Sequence, residues 1–243
     1  MVYEAARHII FCEKDGEFPE HMLHIGGSCG LVTINGLLSI VTARHCIDRF
    51  LSDYPNSQRH ALATFRQVGV RNTFALFKNI FFVHDCPTTG GVLGSECDLS
   101  ICKSLPSDGF VSPDAWPLID GAHNGSDPHL ASGDRLLCYG FPDIAGPYLT
   151  DRSIAYNPCC VSMHLIGFEH DGMIAIGEID AIDDLDGNSY PITSSLNGLS
   201  GGPAFRHIGT GECFSGIVLM SSGGLIRILT SRYVAGFARR HCC

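Results

Sequence analysis

The stretch that decides the fold is Gly30-Leu-Val-Thr-Ile34, Asn35-Gly36, Leu37-Leu-Ser-Ile-Val-Thr42. Both positions of an Asn-Gly pair can adopt the positive φ that a two-residue hairpin turn requires. The flanking apolar runs are short and contain β-branched residues, which favours strands. The stretch therefore predicts a β-hairpin, and His45 follows directly after its second strand.

Similar short runs separated by turn residues predict strands along the rest of the chain. They lie at 61–70, 73–77, 80–83, 99–102, 135–139, 160–166, 173–176, 178–182, 204–205, 213–220 and 225–229. The tail Ser231–His241 instead has apolar residues at helical spacing, a capping serine at its start and basic residues at its end, so it predicts a helix.

The predicted elements divide the chain into four parts. Residues 1–20 form an N-terminal segment, expected to be a short helix or an edge strand, and residues 21–107 a first β-barrel. Residues 108–133 contain several Pro, Gly, Asp and Ser and are predicted to be a linker. Residues 134–243 form a second barrel with the C-terminal helix. We expect an all-β protein of two small antiparallel barrels.

Composition narrows the classes of function. The net charge is −9, which argues against binding nucleic acid, because neutralising phosphates needs a basic surface. No run approaches the roughly 20 apolar residues that cross a bilayer, so no membrane role is expected. The N-terminus does not have the pattern of a secretory signal. We therefore expect a cytoplasmic protein.

The 12 cysteines are expected to be mostly reduced thiols in that compartment. Buried thiols acting as small apolar side chains are the main interpretation, and metal binding by some of them is a minority alternative. No Cys-x-x-Cys pair supports a metal site. We predict no cofactor and no metal.

Three motifs carry the groups of acyl-transfer chemistry: Val41-Thr-Ala-Arg-His-Cys46, Cys97-Asp-Leu-Ser-Ile101 and Gly198-Leu-Ser-Gly-Gly-Pro203. A serine is a weak nucleophile unless a base takes its proton and a carboxylate orients that base. Glycines beside the serine let backbone N–H groups converge on one oxygen. Taken singly, the first motif could be an ordinary histidine, the second a turn aspartate and the third a loop.

Together these motifs resemble the active-site motifs of the chymotrypsin/trypsin superfamily, in that family's order. Two further stretches, Leu137-Cys-Tyr-Gly-Phe-Pro142 and Gly216-Ile-Val-Leu-Met220, are similar to segments of the second barrel in bacterial trypsin-like, HtrA-like peptidases. The resemblance implies two six-stranded antiparallel barrels with a C-terminal helix, and the activity of a serine endopeptidase. Because 243 residues leave no length for an added PDZ domain, the full HtrA architecture is not expected.

The resemblance also implies the roles of the site residues. Ser200 is the expected nucleophile, His45 the general base and acid, and Asp98 the group that orients His45. The amides of Gly198 and Ser200 are the expected oxyanion hole. Asp85 is the rival carboxylate, but Asp98 is the one followed by the alternating strand residues that the motif requires.

Two departures from the zymogen-activated members of the family bear on regulation and specificity. Leu199 stands where those members have the Asp that pairs with a new N-terminal amine. We therefore expect either constitutive activity or switching by an unidentified regulatory partner or by loop ordering. Ser194 falls at the floor of the specificity pocket, which also includes Leu219, Met220 and Ser221. A neutral floor predicts an uncharged residue before the cleaved bond.

The expected partner is a protein or peptide substrate. The alternatives are a catalytically silent double barrel that only binds peptides, and an esterase or transferase that uses the same acyl-enzyme chemistry. Cys29 and Cys46 lie near positions where secreted relatives often place a disulfide, and here we expect thiols.

Overall fold

The computed structural model describes residues 5–13, 22–53, 60–68, 71–77, 81–84, 98–103, 115–120, 123–124, 129–145, 147–150, 153–156, 158–209 and 211–242. The helices in this part of the chain are α1 (His45–Asp53) and α2 (Ser231–Cys242). The strands are β1 (Ala6–Glu13), β2 (Met22–Ile34), β3 (Leu37–Ala43), β4 (His60–Val68), β5 (Arg71–Phe77), β6 (Phe81–His84), β7 (Leu99–Lys103), β8 (Trp116–Asp120), β9 (His123–Asn124), β10 (Arg135–Gly140), β11 (Pro147–Thr150), β12 (Ser153–Tyr156), β13 (Cys159–Glu169), β14 (Ile174–Asp184), β15 (Ser189–Tyr190), β16 (Pro203–Ile208), β17 (Gly211–Ser222) and β18 (Leu225–Thr230).

The hairpin predicted around Asn35-Gly36 is confirmed. Ile34 pairs with Leu37 across the turn, and the two turn residues have φ of 50° and 76°. Both values lie in the left-handed region that asparagine and glycine tolerate. The inward side chains of both strands, including Leu31 and Ile40, are fully buried.

The first half of the chain forms one sheet of nine strands within the described residues, in the order β5-β4-β1-β2-β3-β7-β6. Strand β8 adds to β2 in parallel, and β9 pairs with β8. The other pairings in this sheet are antiparallel. The register that matters for the site is β3 against β7, in which Ala43 lies opposite Leu99.

The second half contains a closed antiparallel barrel of six strands. Around the ring the order is β10-β16-β17-β18-β14-β13, and β13 pairs with β10 to close it. Inward residues of these strands form an apolar cluster that includes Leu136, Val161, Val218 and Ile226. The all-β class and the C-terminal helix are thus confirmed, and the arrangement fits the chymotrypsin-like double barrel that the sequence predicts.

One sequence expectation for local structure was wrong, and one helix was missed. The described part of the N-terminal segment forms β1, which is not an edge strand because it lies between β2 and β4 inside the sheet. The segment from His45 to Asp53 was not predicted as a helix, although Asp48 in its first turn is a recognisable start signal.

The first sheet also extends beyond residues 21–107. Strand β1 precedes that range, and β8 lies within the segment predicted as a linker. Pro117 made that segment look irregular, but β8 buries Leu118 and Ile119 in the core. The division of the chain into four units stays a prediction.

The two halves share an apolar cluster at their interface. Phe205 of β16 makes an edge-to-face contact with Trp116 of β8, with ring centroids 5.2 Å apart. His8 of β1 stacks on Phe141, which follows β10, at 5.3 Å. Helix α2 adds Val234 and Phe237 to the same cluster. Side chains from both halves therefore hold the facing ends of the sheets together.

We expect Gly36→Ala to lower the free energy of unfolding by about 1–2 kcal/mol, since an L side chain is strained at a left-handed φ. Gly36 has open space around its Cα, so a steric clash does not contribute. Urea denaturation measures the change. Gly167→Ala is the matched control, because Gly167 also has open space but no positive φ. Equal effects of the two variants would contradict this account of the turn.

Candidate active site

The pairing of β3 with β7 brings His45 next to Asp98. Strand β3 ends at Ala43, which lies opposite Leu99. Asp98, just before Leu99, therefore lies beside Arg44 and His45, which follow Ala43. The Arg44 N–H donates to the Asp98 carbonyl at 3.0 Å. Two distant motifs are therefore joined by sheet register alone.

Asp98 holds His45 through both carboxylate oxygens. The His45 backbone N–H donates to Oδ1 at 2.9 Å, and the ring Nδ1 lies 2.6 Å from Oδ2. Because a carboxylate only accepts hydrogen bonds, Nδ1 carries the proton and Nε2 is the free acceptor in the neutral ring. The side chains are 39% and 22% exposed, so the ring has one open side. Asp85 lies outside the described residues.

The environment of His45 favours its charged form. Partial burial by itself lowers the pKa of the imidazole. The hydrogen bond to Asp98 and the contact with the Cys46 thiol raise it more, and the net result is a rise from 6.5 to about 10. An opposite charge at hydrogen-bond distance has this effect because it stabilises the imidazolium.

The loop around Ser200 needs its glycines. Gly198 has φ of 93° and Gly201 φ of 85°, both in the left-handed region. A Cβ on Gly198 would lie 2.6 Å from the Phe141 carbonyl oxygen, and one on Gly201 would collide with the Ser28 carbonyl oxygen. Leu199, between Gly198 and Ser200, is fully buried in the apolar cluster inside the six-stranded barrel.

Backbone amides in this loop fall into two groups. Those of Leu199, Gly201 and Gly202 donate to carbonyl oxygens at 2.7–3.0 Å. Those of Gly198 and Ser200 make no hydrogen bond within the part of the chain that the structure describes. Two unpaired N–H groups beside a serine can stabilise negative charge on a reacting oxygen.

Ser200 lies against the first sheet and the start of α1. Its carbonyl oxygen accepts hydrogen bonds from the Ser28 N–H at 2.9 Å and from the Cys46 thiol at 3.3 Å. A Cβ on Gly27 would lie 2.7 Å from both the Cys46 Sγ and this carbonyl oxygen, so the contact leaves no room for a side chain there. Among the described residues, no hydrogen bond joins the Ser200 hydroxyl to the His45 ring. Such bonds often tighten only when substrate binds.

The residues predicted for the substrate pocket lie on two segments, the turn that contains Ser194 and strand β17. Ser194, partly buried, closes a turn by donating its N–H to the Pro191 carbonyl at 2.9 Å. Leu219 lies at a register shift in β17, and its side chain is 5% exposed in the apolar cluster. Met220 and Ser221 follow it and are partly exposed.

Sequence reasoning missed the residues of the first sheet that contact the nucleophile loop. Ser28 and Gly27 contact it from positions about 170 residues away along the chain, and no local pattern marks them. Cys46 was identified only as a thiol, and no disulfide forms among the cysteines whose side chains the structure describes.

Two further searches of the described part of the chain bear on other kinds of site. No group of three or more His, Cys, Asp or Glu side chains there is arranged to hold a metal ion. No helix there is long and apolar enough to cross a bilayer.

Comparison with known proteins gives distant similarities of structure. No protein-family model and no curated protein sequence matches the chain. Among solved structures, the serine endoprotease from Yersinia pestis matches at 14% identity and a TM-score of 0.48, covering 98% of this chain. The match spans 63% of that protein's length. This similarity is too remote to assign an activity or the roles of residues.

We expect Asp98→Asn to lower the pKa of His45 from about 10 toward 6.5, because a neutral amide stabilises the imidazolium less than a carboxylate does. An NMR titration of the His45 ring protons measures the shift without reference to activity. Asp180→Asn is the control. It removes a carboxylate bonded to another histidine, His164, at 2.8 Å, and it should leave the His45 titration unchanged. An Asp98→Asn protein with an unaltered His45 pKa would show that another group sets the value.

Proposed function

We propose that the protein is a serine endopeptidase of the trypsin-like type that cleaves peptide bonds through an acyl-enzyme on Ser200. The observation that carries the proposal is the pair of unbonded amides at Gly198 and Ser200, next to a histidine bonded to a carboxylate. A simple turn would have no need of such an arrangement, whereas acyl transfer requires each of these groups.

In the proposed mechanism, the neutral form of His45, which a pKa of about 10 makes the minor form at neutral pH, acts first as a base and then as an acid. Its Nε2 accepts the proton of the Ser200 hydroxyl as that oxygen attacks the substrate carbonyl. The proton then passes to the leaving amine, and the acyl-enzyme remains. Water, activated by the same nitrogen, releases the acyl group and restores Ser200.

Asp98 and the two amides stabilise the charges that form during this reaction. The carboxylate of Asp98 favours the imidazolium that appears when His45 takes the proton, and it holds the ring orientation. The Gly198 and Ser200 N–H groups donate to the oxyanion of the tetrahedral intermediate. Removing one such donor in enzymes of this kind costs about 10²–10³ in rate.

The proposed specificity follows from Ser194. A pocket floor without a carboxylate gives no charge partner to a desolvated lysine or arginine, so an uncharged residue is preferred before the cleaved bond. Met220 and Ser221 are partly exposed and are the proposed wall of the pocket. Leu219 contributes its backbone, since its side chain is buried.

We expect a fluorophosphonate probe to label the wild-type protein and not Ser200→Ala, because the probe reacts only with an activated serine. Cleavage of a denatured protein substrate should fall roughly 10⁴-fold or more in the variant. Ser132→Ala, which alters an exposed serine whose hydroxyl donates to the Leu165 carbonyl of β13, should keep both properties. Labelling without cleavage of proteins or peptides would favour an esterase. A wild-type protein that binds peptides but is never labelled would favour a silent scaffold.

A second test concerns the pocket floor. In a fluorogenic peptide panel, the wild type should prefer uncharged residues before the cleaved bond, and Ser194→Asp should raise relative cleavage after lysine and arginine by introducing a charge partner. Thr193→Asp adds the same charge at the exposed neighbouring position and should not change the preference. Strict cleavage after arginine and lysine by the wild type would contradict the proposed floor.

A further inference from the structure

The strongest feature that the proposed mechanism does not use is a buried serine between the two halves of the protein. Ser28 lies on β2 of the first sheet and is fully buried. Its hydroxyl donates to the Gly198 carbonyl at 2.6 Å and accepts from the Phe141 N–H at 2.8 Å. Its backbone N–H donates to the Ser200 carbonyl at 2.9 Å.

We infer that Ser28 is a positioning residue for the oxyanion hole, holding the nucleophile loop so that the Gly198 and Ser200 amides face the substrate carbonyl. This inference rests on the function proposed above. Ser28 touches neither of those amides and is not expected to touch substrate. It bonds the carbonyl oxygens of the two peptide groups, Gly198–Leu199 and Ser200–Gly201, on either side of the one that carries the Ser200 amide.

The peptide groups of the loop alternate between fixed groups, bonded at both ends, and groups bonded only through their oxygen. The Asn197 carbonyl accepts from the Asp143 N–H, and the Leu199 carbonyl accepts from the Gly202 N–H. The group between Gly198 and Leu199 is bonded at both ends, its oxygen by the Ser28 hydroxyl and its N–H by the Leu196 carbonyl. The group between Ser200 and Gly201 is likewise bonded, by the Ser28 N–H and by the Val218 carbonyl.

The Ser200 amide belongs to the peptide group between these two fixed groups, and the Gly198 amide to the one before them. Because a peptide group is planar, fixing its neighbours limits the rotation left to the group in between. Ser28 contacts both fixed groups. It therefore restricts the direction in which the Gly198 and Ser200 N–H groups point.

The site around Ser28 accepts little other than a serine. A Cβ on Gly140 would lie 2.6 Å from the Ser28 Oγ, so the hydroxyl is enclosed on that side. The Ser28 carbonyl accepts a hydrogen bond from the Thr42 hydroxyl at 2.9 Å, which fixes the backbone. A hydroxyl is the small group that can donate to Gly198 and accept from Phe141 at once.

Loss of the Ser28 hydroxyl should affect the transition state more than the bound substrate. The oxyanion forms only as the carbonyl is attacked, so a misdirected amide weakens catalysis while substrate binding is largely kept. The result to expect is a lower kcat with KM nearly unchanged. Simple damage to the fold would lower binding as well.

The test uses the full chain with Ser28→Ala. We expect kcat to fall about 10- to 100-fold, with KM within about 3-fold of the wild type. The Ki of a peptide aldehyde, whose adduct places an oxyanion at the amides, should rise by a similar factor. The Kd of the matching product peptide should stay constant.

Two further variants separate positioning from folding. Ser39→Ala removes another buried hydroxyl, bonded only within its own hairpin to the Leu37 carbonyl, and should leave kcat and the aldehyde Ki unchanged. Ser28→Cys keeps a weak donor and acceptor and should give intermediate values. Ser28→Cys is also the variant to measure if Ser28→Ala does not fold.

The outcomes distinguish this inference from the function on which it rests. A wild type that neither cleaves peptides nor binds the aldehyde overturns both. An active wild type with an unaffected Ser28→Ala overturns this inference alone. So does a variant that loses product binding and aldehyde binding equally, since Ser28 would then be structural.

Discussion

The hydrogen bond from the Ser28 amide to the Ser200 carbonyl, 2.9 Å long, joins the two halves of the protein at the candidate site. The histidine and aspartate lie on the first sheet, and the serine lies on a loop of the second barrel. None of these elements can bring the three groups together alone. The constraint on the whole structure is therefore that the loop must contact β2 at a fixed position, and the apolar cluster around Phe205 and Trp116 keeps the halves in that position.

The close packing of this contact explains why small residues surround it. Gly27, Gly140 and Gly201 each lie where a Cβ would meet atoms of Ser28, Cys46 or the Ser200 carbonyl. Protein interiors tolerate little added volume, since overpacking typically costs 1–3 kcal/mol. The glycines around this contact thus serve two purposes. Gly198 and Gly201 provide the left-handed backbone, while Gly27 and Gly140 let the sheets approach.

Local patterns in the sequence were sufficient for the hairpin at Asn35-Gly36, for most strands and for α2, because turn chemistry and apolar periodicity are properties of neighbouring residues. The local patterns failed where tertiary contacts decide which structure a segment adopts. β1 is an interior strand only because β2 and β4 flank it, and β8 forms despite Pro117 because it pairs with β2. The choice of Asp98 over Asp85 rested on motif context. The contact with His45 depends on the register of β3 against β7, which a single sequence does not encode locally.

Leu199 bears on how the loop around Ser200 is shaped. In the zymogen-activated members of the family that the sequence resembles, an aspartate takes the place of Leu199 and pairs with a new N-terminal amine. Here Leu199 is fully buried among apolar side chains, where a charge would be costly. Hydrogen bonds from Ser28 and from the Cys46 thiol already fix the adjoining carbonyls. The described contacts therefore shape the loop by packing and neutral hydrogen bonds, and none of them depends on a charged group at position 199.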